Sequence, residues 1–218
     1  MKEKFQITNQ FLKKEWKQRP GGNRIPRFAV AHDTGNPDST AKQNYEYFNS
    51  RQLEASAHVF IDDKQILVII PLHERAWHVR SNVSDANEWG IGVELCYGPS
   101  IDFNKAYSRY VWFFAYLCDM YQWNPARNIK GHFQLDPKRR TDPLNCFHRY
   151  GKTFPFFIED VKYELKKFVV HQNEFKELVT AEGKLYKVQI GAFSSRENAE
   201  ILSRKAKSAG FDVHIDHS

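Results

Sequence analysis

The sequence predicts an α/β fold, with helices packed on a central sheet and a small βαβ unit at the C-terminus. Three observations predict it. Short apolar or alternating runs, such as Phe28-Ala-Val-Ala31 and Ile91-Gly-Val-Glu-Leu-Cys-Tyr97, are bounded by turn residues and read as strands. Between and after them, aromatic and aliphatic residues recur at helical spacing from Tyr107 to Tyr121 and from about Pro155 to Val170. The hydrophobic fraction of 41%, with 15% aromatics, is enough to bury those stripes and argues against disorder. At roughly 150 residues per domain, the 218 residues allow one full domain and a remainder.

The elements follow in order. The turn-rich stretch Arg19-Pro-Gly-Gly-Asn-Arg-Ile-Pro26 sets an N-terminal arm apart from the strand Phe28–Ala31. Gly35-Asn-Pro-Asp-Ser-Thr40 reads as a loop. Ser39 or Thr40 is the N-cap expected for a helix over 41–50, in which Tyr45 and Phe48 are three apart. Ala57-His-Val-Phe-Ile-Asp62 reads as a strand, Asp62-Asp-Lys64 as a tight turn, and Gln65 to Ile70 as the returning hairpin partner. The strand Ile91–Tyr97 precedes the long buried helix 107–121. After an irregular polar stretch comes the second long helix, with Phe157, Val161, Leu165 and Phe168 on one face. Residues 171–183 are polar and read as a linker between a domain over 1–170 and a unit over 184–218. That unit reads as strand Tyr186–Ile190, turn Gly191, helix 195–209, Gly210 as C-cap and strand Phe211–Ile215, which is small for an independent core.

Composition bounds the partners. The basic surplus of +6 favours an anionic partner, and nucleic acid, anionic membrane or a wall polymer would each satisfy it. The aromatics lie in core segments and no nucleic-acid motif is present, so nucleic acid is set aside. The longest apolar stretches, such as Gln65-Ile-Leu-Val-Ile-Ile-Pro71, fall far short of the roughly 18 residues of a membrane span. No apolar run follows the N-terminal lysines, so the chain reads as lacking a secretory signal and made in the cytoplasm. Cys96, Cys118 and Cys146 are odd in number and widely spaced, which points to reduced thiols rather than a disulfide framework.

Nine histidines raise the question of a metal. His171, His214 and His217, in the linker or near the C-terminus, read as solvated, and His73 and His148 as surface residues. His58, inside an apolar strand, reads equally as a core histidine bonded to backbone or as a residue lining a site. His32 ends an apolar strand just where the chain turns into a loop, the position from which side chains reach a cleft in sheet folds. His132 opens the segment Gly131-His-Phe-Gln-Leu-Asp-Pro-Lys-Arg-Arg-Thr-Asp-Pro143. The turn-forming Asp136-Pro137 lets Asp142 fold back towards it. Two neutral imidazoles and a carboxylate make a chemically sensible Zn2+ set, and three protein ligands leave a fourth position for water.

Taken in order, these segments resemble a known family, the type 2 N-acetylmuramoyl-L-alanine amidases. This zinc-dependent group includes phage lysins and is similar to peptidoglycan recognition proteins. The segments are Phe28-Ala-Val-Ala-His32-Asp-Thr, Ser56-Ala-His58-Val-Phe-Ile-Asp62-Asp, Ala76-Trp77-His78, Asn87-Glu-Trp-Gly-Ile-Gly-Val-Glu94, and Gly131-His132 through Arg140-Thr-Asp142-Pro143. The resemblance spans about residues 20–168 and implies a central mixed sheet flanked by helices. It implies that His32, His132 and Asp142 bind zinc, with Cys146 a weaker rival for the third place because it falls four residues late. It assigns Glu94 general-base or water-orienting work and puts Arg140 near the metal, where a permanent charge suits a developing oxyanion. Arg140 reads equally as one of three solvated basic residues with Lys138 and Arg139. Trp77 and His78 would line the substrate cleft, although Trp77 reads equally as core. The implied reaction cleaves the amide between N-acetylmuramic acid and the first L-alanine of the stem peptide. A non-catalytic peptidoglycan-binding protein on the same fold is the alternative.

The C-terminal unit resembles something else. Leu185-Tyr-Lys-Val-Gln-Ile-Gly-Ala-Phe193 through Asn198-Ala199, with Ala209-Gly-Phe-Asp-Val213, is similar to the first half of a SPOR-type peptidoglycan-binding repeat. Such domains have two βαβ halves, and only one is present here. The resemblances together imply a peptidoglycan substrate, an anionic wall polymer as a further partner, and action at the cell wall after release from the cytoplasm.

Overall fold

The computed structural model describes residues 4–82 and 84–181, together with residues 196, 199, 200, 202, 203, 206 and 213–215. Among them one mixed sheet holds β1 (Ile7–Asn9), β2 (Phe28–Asp33), β3 (Val59–Ile61), β4 (Ile66–Val68), β5 (Gly90–Leu95) and β6 (Ile129–Gly131). The spatial order is β1-β4-β3-β5-β2-β6. Only the β3–β4 hairpin is antiparallel; every other neighbouring pair is parallel. The helices are α1 (Ala41–Phe48), α2 (Ala86–Trp89), α3 (Phe103–Tyr121), α4 (Pro125–Asn128), α5 (His132–Leu135), α6 (Leu144–Arg149) and α7 (Phe154–Ala181).

Local chemistry accounts for the first helix and the hairpin together. Thr40 caps α1 by accepting from the Gln43 N–H, and Gln43 returns a side-chain acceptor to the Thr40 N–H. Asp62 shapes the hairpin turn by accepting from the N–H groups of Lys64 and Gln65, both at 2.8 Å. Its second oxygen accepts from the Ala41 N–H at 2.9 Å, so one buried carboxylate joins the turn to the start of α1.

The two faces of the sheet are unequal. Ala29 and Ala31 of β2, with Ile91 and Val93 of β5, belong to the main core beneath α3 and α7. That core is aromatic: the fully buried Phe157 ring lies 5.3 Å from Tyr110, 5.1 Å from Phe114 and 5.4 Å from Phe147, centroid to centroid. Such contacts add about 0.5–1.5 kcal/mol per pair to the area each ring buries. On the opposite face Val30 packs with Val79 and Ala86 in a much smaller cluster. Because strand side chains alternate with a period of two, His32 and Glu94 project on this thinly covered face.

The structure differs from the sequence reading at several edges. The N-terminal arm contributes the edge strand β1, parallel to β4, and the polar stretch after α3 contains the edge strand β6. Helix α3 begins at Phe103, capped by Asp102, which accepts from the Lys105 N–H. Residues 171–181 continue α7 to Ala181 instead of forming a coil linker. In the C-terminal unit, the described residues between 196 and 206 are helical, as expected for the helix 195–209. Val213–Ile215 carry no strand, contrary to the reading of Phe211–Ile215. The strand Tyr186–Ile190 lies outside the described residues. No helix among the described residues is long and apolar enough to cross a membrane.

Candidate metal centre and active-site cleft

Strand register delivers three chemical groups to one place. His32 stands opposite Glu94 across β2–β5, and Ala31 opposite Gly131 across β2–β6, so His132 follows directly from the end of β6. Three adjacent parallel strands therefore finish together, and groups at their carboxyl ends open into a crevice. Asp142 reaches the same crevice from the loop after α5. Its carbonyl accepts from the Phe133 N–H at 3.1 Å, and the Asp136 carbonyl accepts from the N–H groups of Arg139 and Arg140. Arg80 grips the Asp136 carboxylate through two 2.8 Å hydrogen bonds, which hold that buried carboxyl below the usual range and fix the base of the loop.

The result is a compact cluster. Asp142 Oδ2 lies 2.8 Å from His32 Nδ1 and 2.9 Å from His132 Nδ1. One ligand atom from each of the three residues lies within 4.8 Å of the others. Burial lowers the pKa of the His32 ring. Burial by itself would raise that of Asp142, but its contacts with the His132 and His32 rings outweigh it and hold the carboxyl below the usual range. An unprotonated His32 ring beside an ionised carboxylate is the state that a divalent cation requires.

Beside this cluster, Glu94 Oε2 is shut off from solvent and has no hydrogen-bond partner. Burial, and then the charges of Asp142 and Asp33, push the Glu94 carboxyl well above its ordinary range. A buried polar oxygen without a partner is costly and calls for a ligand or water in the cleft. Nitrogen and oxygen donors of the types zinc prefers, with that oxygen next to them, fit a zinc ion held by His32, His132 and Asp142. Cys146 does not join them. Its thiol is buried with its pKa pushed up by burial, and its N–H donates to Asp33 Oδ2 at 3.2 Å.

The cleft measures about 740 Å³, and its lining includes His32, His78, Glu94, His132, Arg140, Asp142 and Trp77. Arg140 is exposed at this lining, and its charge partly opposes the rise in the Glu94 pKa. Trp77 is half-buried, its indole N–H donating to the Lys17 carbonyl at 2.9 Å and its backbone N–H to Ser56 Oγ at 2.9 Å. It is therefore both anchored and a wall of the cleft. His78 is buried with its ring nitrogens 3.0 Å from His32 Nε2 and 3.1 Å from the Ala86 carbonyl.

His58 is the exception among the expected site residues. It does not line the cleft, and it is wholly buried within the sheet. Its Nδ1 accepts from the Gly92 N–H at 3.0 Å and its Nε2 donates to the Glu74 carbonyl at 3.0 Å, leaving no ring atom for a substrate. Burial, and then the nearby Arg24 charge, lower its pKa to about 3. The unfolded ring titrates near 6.5, so between these values the unfolded chain holds a proton that the folded chain refuses. Stability from this group is complete above about pH 6.5 and falls as pH drops, by a total on the order of 5 kcal/mol at pH 3. Urea unfolding of wild type and His58→Gln between pH 7 and pH 4 checks this. The wild-type slope is expected to exceed the variant's by about one proton, and equal slopes would contradict it.

Several residues that shape the site were not singled out in the sequence. The Tyr110 hydroxyl, rising from α3, donates to the His32 carbonyl at 2.9 Å and so braces the strand end from the core side. Asp33 accepts from the N–H groups of Gly35 and Cys146, joining β2 to α6. Arg80 pairs with the Asp136 carboxylate, and Asn87 holds the backbone of His78 and Val79. Of these, Asn87 and Asp33 carried a signal, as members of the segments that end in Glu94 and that follow His32.

Residues 21–145, more than half of the chain, match the family described as N-acetylmuramoyl-L-alanine amidase, and residues 182–218 match the SPOR domain. The N-acetylmuramoyl-L-alanine amidase BlyA of Bacillus subtilis is 29% identical over 155 residues, covering 63% of this chain and 42% of that protein. The 1,6-anhydro-N-acetylmuramyl-L-alanine amidase AmpD of Escherichia coli is 33% identical over 103 residues, 44% of this chain and 55% of that protein. The chain thus spans about half or less of these curated relatives. Among solved structures, the catalytic domain of XlyA superposes with a TM-score of 0.64 at 25% identity, covering 72% of this chain and 99% of that domain. PlyL superposes with a TM-score of 0.62 at 25% identity. With its fold and more than half of its length in agreement, the chain belongs to the N-acetylmuramoyl-L-alanine amidase family.

Proposed function

We propose that this protein is a zinc-dependent peptidoglycan hydrolase that cleaves the amide between N-acetylmuramic acid and the L-alanine of the stem peptide. The observation that carries the reading is the meeting of His32, His132 and Asp142 with the enclosed, unpartnered Glu94 Oε2 in one cleft. Zinc held by those three residues would supply Lewis acidity for the amide carbonyl and acidify a water. The remaining work falls to the chain. Glu94 takes a proton from the attacking water at Oε2 and delivers it to the departing alanine nitrogen. Arg140, a permanent cation that neither gives nor takes a proton at working pH, stabilises the oxyanion as charge builds. Trp77 offers an indole face to the sugar or the peptide stem, and the buried walls keep the substrate's amide out of bulk water.

The unit over 184–218 extends the reading. With its SPOR match, we assign it to wall binding, following a catalytic domain that ends near residue 170 and a connecting segment over 171–183. The basic surplus then serves attraction to anionic wall polymers, and the site of action is the cell wall. Digestion of purified cell walls by the zinc-loaded protein, with mass identification of the products, tests activity and bond together. The expected products carry a new amino terminus on L-alanine and an intact lactyl group on muramic acid. Binding to walls without new amino termini would replace this reading with the non-catalytic one.

A further inference from the structure

The ring of His78 has no part in the reaction proposed above, yet both of its nitrogens are committed. Its Nε2 lies 3.1 Å from the Ala86 carbonyl oxygen, and its Nδ1 lies 3.0 Å from Nε2 of His32. A carbonyl oxygen only accepts, so Nε2 of His78 carries the hydrogen. In a neutral ring, Nδ1 is then a lone pair that accepts. Only 8% of His78 is exposed, and the rings of His32 and His58 lie 5.2 and 5.7 Å away, surroundings that disfavour a charged ring. An acceptor at His78 Nδ1 requires a hydrogen on Nε2 of His32. With zinc bound, the lone pair of His32 is thereby left on Nδ1, the atom facing Asp142.

We propose that His78 is a positioning residue for the metal centre, which fixes the tautomer and orientation of His32 through a relay from the Ala86 carbonyl. The relay runs from that carbonyl to the Nε2–H of His78, and from His78 Nδ1 to the Nε2–H of His32. It rests on the reading of His32, His132 and Asp142 as zinc ligands. Outer partners of this kind raise ligand basicity and hold the ring in line with the metal.

Two further features serve the same ring. Asn87 clamps the backbone that carries it: Oδ1 accepts from the N–H groups of His78 and Val79 at 2.9 and 3.0 Å, and Nδ2 donates to the Val79 carbonyl at 2.8 Å. Gly92 gives it room. A Cβ at Gly92 would stand 2.5 Å from His78 Cγ and 2.8 Å from its Nδ1, closer than real contacts allow. The segment from Asn87 to Glu94 thus supplies the clamp, the space and the carboxylate in eight consecutive residues.

Nitrogen-15 NMR of the ring nitrogens and zinc titration against a competing chelator test the relay. Wild-type His78 is expected as the Nε2–H tautomer with and without zinc, and His32 with its hydrogen on Nε2 when zinc is bound. His78→Phe should weaken zinc binding roughly 10–100-fold, while His78→Asn, which keeps an acceptor near the place of Nδ1, should recover most of the loss. Should the Phe variant fold poorly, Gly92→Ala displaces the unaltered ring and should weaken zinc binding in the same direction. A His78 hydrogen on Nδ1, or zinc affinity unchanged in His78→Phe or in Gly92→Ala, would overturn the proposal while leaving the metal reading intact. A wild-type chain that binds no zinc would overturn the metal reading and this proposal with it.

Discussion

Glu94→Gln is expected to keep zinc and lose turnover by roughly 10²–10⁴-fold, the range that a positioned proton-transfer group commands. The substitution preserves shape and removes only the capacity to take a proton, and Glu94 is not one of the three clustered ligands. Metal content and turnover on purified walls, measured together, separate the two effects. A loss of less than tenfold would remove Glu94 from the proton-transfer role. The electrostatics add a second readout. Without metal, burial and the charges of Asp142 and Asp33 hold the Glu94 carboxyl well above its ordinary range. A divalent cation nearby acts in the opposite sense. Zinc uptake should therefore release protons, and Glu94→Gln should release fewer.

His132→Ala is the second large effect. It removes one of two imidazoles and leaves the Asp142 carboxylate with a single partner at 2.8 Å. Zinc affinity is expected to fall roughly 100-fold or more, beyond the 10–100-fold typical of losing an outer partner. Turnover should fall with it at ordinary zinc concentrations. The fold should survive, because His132 lies beyond the end of β6 and the main core sits on the other face of the sheet. Chelator competition and thermal unfolding check both halves. Undiminished zinc affinity would mean that the cluster is not the metal site.

The three clustered residues were legible in the sequence for a local reason: each sits where a recognisable element stops. His32 ends an apolar strand before a Gly-Asn-Pro loop, and Asp136-Pro137 announces the turn that returns Asp142 to His132. Thr40 and the alternation around Ile91 were equally local signals. What could not be read was mostly short or long-range. The strands β1 and β6 have three residues each, too few for a period to show. Residues 171–181 look like a linker by polarity, yet glutamate, lysine and leucine favour the helix that α7 continues there. Tyr110 sits in a run of core aromatics, and nothing in that run marks the hydroxyl that reaches the His32 carbonyl. His58 resembles a site residue in composition and is excluded from the cleft only by partners far away in sequence, Glu74 and Gly92.

The cluster draws on two kinds of scaffold, and this bears on how it comes apart. His32 belongs to a strand paired on both sides, so displacing it means breaking the sheet, and His132 follows directly from the edge strand β6. Asp142 hangs from a loop pinned at its base by the half-exposed Arg80 and the buried Asp136. Opening that loop requires far less than global unfolding. With zinc held as proposed, the carboxylate is the hinge of metal exchange. Hydrogen exchange at residues 136–142 should track the zinc off-rate, while the amides of β2 and β5 stay protected.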